Sequence, residues 1–136
     1  MASDSHPSDV VQVIRAAAAL TSSYVAGTVF RLSPIAIGFD LQLTLVKSSI
    51  SSVEYIHEVS DDGGTTWFRT TSEEVAGGTA TVRQEVGTIP VSGLSATDYL
   101  VISFDRTAYT YHRISFKETG TAGSNTLAAT IRQIME

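Results

Sequence analysis

The chain contains no cysteine, which excludes a disulfide framework, a thiolate metal site and a cysteine nucleophile. It is also short of cations. Nine Lys and Arg against fourteen Asp and Glu leave a net charge of −5, and the nine are scattered from Arg15 to Arg132 with no cluster. Nucleic-acid binding needs a coherent basic patch that displaces counterions, so no nucleic-acid partner is expected. Long apolar runs are missing too: none approaches the ~20 residues that cross a bilayer. Met1 to Ser8 lacks the basic and apolar regions of a signal peptide. No membrane partner is expected, and synthesis in a cytoplasm without export by that route is. The three histidines, His6, His57 and His112, stand far apart without metal-ligand spacing. No serine sits in a Gly-x-Ser-x-Gly elbow, and Gly77-Gly78 and Gly120-Thr121-Ala122-Gly123 lack the lysine and strand-to-helix context of a phosphate loop. No metal, cofactor or enzymatic centre is expected.

What the chain does have is a period of two. Ile35, Ile37, Phe39, Leu41, Leu43 and Leu45 alternate with Ala36, Gly38, Asp40, Gln42 and Thr44, which puts six apolar side chains on one face of an extended strand. Weaker alternation recurs after Tyr24, Val53, Leu100, Ile114 and Leu127, with turn-forming clusters between the runs. At 136 residues one domain is expected. The pattern predicts an all-β, antiparallel β-sandwich of jelly-roll or immunoglobulin-like type. About eight strands are expected, near 24–31, 35–46, 52–60, 65–71, 79–90, 98–105, 109–118 and 125–134. In this alternation His57 falls in phase with Val53, Tyr55 and Val59, the place of a half-buried sheet histidine. Glu54 with Glu58, and Glu73-Glu74, read as solvated polar positions before they read as paired catalytic carboxylates.

Ser60-Asp61-Asp62-Gly63-Gly64-Thr65-Thr66-Trp67 is the most distinctive stretch. Asp bonds its own backbone and Gly takes positive φ freely, so Asp62-Gly63-Gly64 predicts a hairpin turn. The pattern Ser-x-Asp-x-Gly-x-x-Trp resembles the Asp box, a small β-hairpin motif of sialidase propellers and of many secreted or surface β proteins. The resemblance implies a structural role: Ser60 and Asp62 tie up the loop backbone and Trp67 caps the core beneath. A single copy does not make a propeller. The alternate oxygen ligands of an EF-hand calcium loop are missing.

The segment before residue 21 reads two ways. Ser8-Asp9 with the alanines at 16–19 suits a capped helix, whereas Val10-Val11-Gln12-Val13-Ile14-Arg15 suits a strand joining a sheet edge. Residues 1–20 are expected to form an N-terminal arm beside a sandwich of residues 21–136. If that sandwich fills its own core, Val10, Val11, Val13 and Ile14 are free to dock on a partner. Tyr109, Tyr111 and Arg113 share a strand face opposite Ile114 and Phe116, and serve either as a second packed layer or as a contact surface.

The order of these features resembles the small β-sandwich virion proteins of tailed bacteriophages, which include decoration proteins of heads and small neck or tail proteins. It runs from the alanine-rich segment and Thr21-Ser22-Ser23-Tyr24-Val25-Ala26-Gly27-Thr28 through the long alternating strand and the Asp62-to-Trp67 turn. It closes with Tyr111-His112-Arg113-Ile114, Thr119-Gly120-Thr121 and a last strand. The resemblance is one of pattern over nearly the whole chain. It implies a non-enzymatic capsid decoration or cement protein, made in a host cytoplasm and located in the virion. The partners implied are the major capsid protein or other virion proteins, with homo-oligomeric or lattice-bound copies. A neck or tail component is the alternative within that class. A carbohydrate-binding module stacking sugars on Trp67, Tyr109 and Tyr111 is the alternative outside it.

Overall fold

A computed structural model describes residues 10–47, 52–90, 97–119 and 125–136. His6 and the glycine-rich turn at 120–123 lie outside the described residues. The fold is all-β and antiparallel, with two sheets facing each other across one core. Sheet A runs in the order β1 (Val11–Ala19), β12 (Thr126–Met135), β4 (Ala36–Val46), β10 (Thr97–Asp105). Sheet B runs β2 (Val25–Ala26), β11 (Tyr111–Thr119), β5 (Ser52–Ser60), β6 (Phe68–Arg69); β3 (Phe30–Arg31) also pairs with β11 and β9 (Gly87–Pro90) with β5. A separate two-stranded sheet joins β7 (Thr71–Ala76) to β8 (Thr79–Gln84). The described residues thus hold twelve strands and not eight. The expected 24–31 strand breaks into β2 and β3, and the expected 79–90 strand into β8 and β9.

The core follows from the alternation. Leu41, Leu43 and Leu45 of β4 and Leu127, Ala129 and Ile131 of β12 face Val53, Ile114 and Phe116 of sheet B, all fully or almost fully buried. At the start of β4 the phase reverses. Ile35 and Ile37, expected in the core, are 57% and 53% exposed, while Ala36 is buried. The reason is a bulge: β12 pairs Ile134 with Gly38 and Met135 with Ala36, leaving Ile37 without an opposite residue. One unpaired residue sends every side chain before it to the other face. Gly38 makes this passage possible, because a Cβ there would collide with the carbonyl oxygen of Phe104.

The N-terminal segment needs a correction. Val11–Ala19 is a strand, paired with β12, so the extended reading holds and the separable arm does not include these residues. Ile14 is 2% exposed and Leu20 is 1% exposed, both inside the shared core. Ile14 is therefore a core residue and not a docking one. Val13, on the opposite face, is 60% exposed, and Val10 and Val11 are partly so. β1 carries two register shifts. Arg15 fills them by donating Nε to the Leu127 carbonyl (3.0 Å) and its terminal nitrogen to the Ala18 and Ala19 carbonyls (3.1 and 3.0 Å).

Candidate functional site

The β7–β8 hairpin stands apart from the sandwich. Gly77 and Gly78 have φ of 59° and 81°, which suits the two-residue turn whose twist matches paired strands. The register sets Glu73 opposite Val82 and Val75 opposite Ala80, so alternation places Val75, Ala80 and Val82 on one face, with Glu73 at its inner side. The exposed Arg83–Glu74 ion pair, 3.2 Å, lies on the other. All six residues of each strand are exposed, with Val75 at 66% and Val82 at 65%. At its base, Arg69 donates to Gln84 Oε1 and to the Glu85 carbonyl (both 3.3 Å), and Glu85 N–H donates to the Thr70 carbonyl. A two-stranded hairpin with neither face covered is marginally stable in water. An apolar face held out from the molecule in this way suits contact with another molecule.

The expected turn at 60–67 forms as a side-chain-knotted loop between β5 and β6. Ser60 Oγ, fully buried, donates to Asp62 Oδ1 (2.7 Å) and accepts from the N–H groups of Asp62 and Gly64. Asp62 Oδ1 also accepts from the N–H groups of Thr65 and Thr66 (3.1 and 2.8 Å). These bonds to the ionised form, led by the Thr66 N–H, lower the Asp62 carboxyl to about 2. Gly63 and Gly64 take φ of 76° and 95°. Trp67 does not cap the core. It lies on the outer face of sheet B, with the Arg113 guanidinium 4.5 Å from its ring centre and Gly64 against it.

That outer face satisfies itself. Arg113 pairs with Glu58 (2.8 Å), and Lys117 lies 3.7 Å from Glu54 and over the Tyr24 ring. Tyr24 donates its hydroxyl to Glu54 (2.9 Å), and burial first, then Glu54, pushes that hydroxyl up to about 12. Tyr111 has the Arg31 guanidinium 5.9 Å from its ring centre. Tyr109 leaves the expected row: it precedes β11 and lies beside Phe68, ring centres 6.1 Å apart. Tyr109 and Phe68 help line a cleft of about 620 Å³ on the open side of the sandwich, together with Tyr55, His57 and Phe104. The structure therefore gathers Trp67, Tyr111 and Arg113 on one face and sends Tyr109 elsewhere. The three-ring sugar platform is not assembled.

The two histidines of sheet B meet in the core. His57 and His112 are 6% and 0% exposed, and their rings stack with centres 5.1 Å apart. His112 Nε2 lies 3.1 Å from the Tyr109 carbonyl, which can only accept, so His112 Nε2 carries the proton. His112 Nδ1 then accepts from His57 Nε2 at 2.8 Å. Phe30 stacks on His112, Phe39 meets both rings edge-on, and Phe104 meets His57. In that surrounding, burial lowers both rings to about 4, and they pack as neutral groups.

No family model matches this chain, and no curated protein matches it either. Among solved structures it is similar to a chain of "Structure of infectious bursal disease virus Gx strain", at 12% identity and a TM-score of 0.26. The match covers 93% of this chain and 41% of that one. At that score the likeness carries no argument about function.

Two of these features were hidden in the sequence. Residues 72–76 fall between the expected strands 65–71 and 79–90, since Glu73-Glu74 breaks any apolar period, although Gly77-Gly78 reads as a hairpin tip and is one. The histidine contact joins residues 55 positions apart and follows only from the β5–β11 register, which pairs His57 with Ile114 and His112 with Val59.

Proposed function

We propose that this chain is a non-enzymatic structural protein of a virus particle, and that it grips its neighbours with the β7–β8 hairpin. The observation that carries this reading is the exposed cluster of Val75, Ala80 and Val82 on a hairpin that pairs with neither sheet of the sandwich. Such a face gains its cover from a partner. On a repeating lattice many weak grips add up to tight attachment. Together with the pattern shared with small phage virion proteins, this favours a decoration or cement protein of a bacteriophage head, with the major capsid protein as partner. Val10, Val11 and Val13 remain available at the surface as a secondary contact. A neck or tail position is the runner-up, separated from the head by copy number per particle.

The test is mass spectrometry of purified particles carrying either the native chain or the Val75→Asp/Val82→Asp variant. Both positions are exposed, so the thermal midpoint of the free protein should move by no more than surface substitutions usually do, within about 0.5 kcal/mol each. Particle occupancy should fall at least about tenfold, because desolvating an unpaired carboxylate in an interface is costly. Undiminished occupancy by the variant would refute the hairpin's role. Absence of the native chain from the particles would refute the virion reading.

A further inference from the structure

The two ends of sheet A are not alike. At the β1 end the edge is closed: two register shifts break the strand, Arg15 covers its carbonyls, and the Ile14 carbonyl accepts the Thr28 N–H at 2.7 Å. The edges of sheet B are short, two residues in β2, β3 and β6 and four in β9. At the other end of sheet A lies β10, nine residues with an unbroken register to β4. Of the described edges of the two sandwich sheets it is the one long, regular one. It carries no Lys or Pro, the usual devices that keep an edge from pairing.

The hydrogen-bond parity of β10 follows from its flank. Arg106 N–H donates to the Ile37 carbonyl (3.0 Å), and the register places these two residues opposite each other, one step beyond Asp105 and Gly38. Even-numbered residues of β10 therefore direct N–H and C=O to β4. Thr97, Tyr99, Val101, Ser103 and Asp105 direct theirs outward. The same odd residues put exposed side chains on the outer face, Tyr99 at 79% and Val101 at 60%. Leu100, Ile102 and Phe104, facing the core, stay only half-buried.

We infer that β10 pairs antiparallel with β10 of a second copy about a two-fold axis at Val101, joining two A sheets into one eight-stranded sheet. An axis at Val101 sets odd against odd: Val101 meets its own copy, Tyr99 meets Ser103 and Thr97 meets Asp105. Every outward donor then faces an acceptor, giving about ten interchain N–H···O bonds. Charge fits as well. Neither aspartate of the strand faces its like, since Asp105 meets Thr97 and Asp98, already paired with Lys47 at 2.9 Å, meets Phe104. On the core side Leu100 and Ile102 of one copy lie opposite Ile102 and Leu100 of the other, which covers the apolar row the monomer leaves half-exposed. The surface is self-complementary, as a two-fold interface requires.

Sedimentation velocity of the full chain tests this. The expected mass is about 29 kDa, twice the 14.5 kDa of one chain. Val101→Pro removes an outward N–H that β4 does not use, which an edge strand tolerates, and should return the protein to monomer. Val101→Lys, at an exposed position, sets two cations against each other on the axis and should do the same without touching the backbone. Monomeric native protein at several hundred micromolar, or a dimer unchanged by Val101→Lys, would overturn the inference. The Val75→Asp/Val82→Asp hairpin variant should remain dimeric, so loss of particle binding and loss of the dimer report on separate claims.

Discussion

Between pH 7 and pH 5 the folded state should lose roughly 4 kcal/mol, because the unfolded chain takes up protons that the His57–His112 pair refuses. Both rings are lowered to about 4 in the fold, by burial first, against about 6.5 when unfolded. Well above pH 6.5 neither state is protonated and nothing is lost. As pH falls from 6.5 towards 4, each ring costs up to about 1.4 kcal/mol per pH unit, and below about 4 the loss levels off when the folded rings also protonate. For a domain of this size, 4 kcal/mol lowers the melting temperature by about 10–15 °C. The loss precedes that from Asp62, which runs in the same direction at lower pH: its depressed carboxyl favours the fold above about 4, an advantage lost as pH falls towards about 2. Thermal melts across pH 5–7 measure the drop, and His57→Phe/His112→Phe should flatten it. Ring-proton NMR should show both imidazoles still neutral at pH 5. Ordinary titration near 6.5 would remove the basis of the prediction.

A second large effect separates neighbours in the chain. Ile14→Ala should destabilise the protein by about 2–5 kcal/mol, the range for emptying a buried aliphatic site, since Ile14 is 2% exposed within the core cluster. Val13→Ala, at 60% exposure, should change stability by no more than about 0.5 kcal/mol. Urea unfolding of the two variants decides it. Equal, small effects would restore the reading of residues 10–20 as an appended arm. For the same reason, deleting residues 1–14 removes a core side chain and part of the strand that covers β12. It should weaken the fold as well as any docking.

Legibility followed the physics of period two. Where a strand buries one face without interruption, as β4 does from Phe39 to Leu45, alternation alone places the core. It fails at Ile35 and Ile37 because a bulge changes phase without changing the apolar pattern; Gly38, needed for a close backbone approach, was the trace it left. The Ser60–Trp67 loop was readable down to its bonds, since Ser, Asp and Gly act on their own local backbone. Trp67 was misplaced because its side of the sheet depends on where the loop returns and on Arg113, 46 positions later. The β10 edge was expected only as another strand, for nothing in a strand's own residues says whether its outer side meets a neighbour. That is a property of sheet order.

Amide hydrogen exchange over residues 71–84, in the free protein and on purified particles, tests the central claim that this molecule acts through surfaces completed by neighbours. Exchange should be fast in the free chain, where both hairpin faces meet water, and strongly slowed on the particle, with the rest of the sandwich unchanged. Exchange that is equally fast in both states, on particles that do carry the protein, would contradict it.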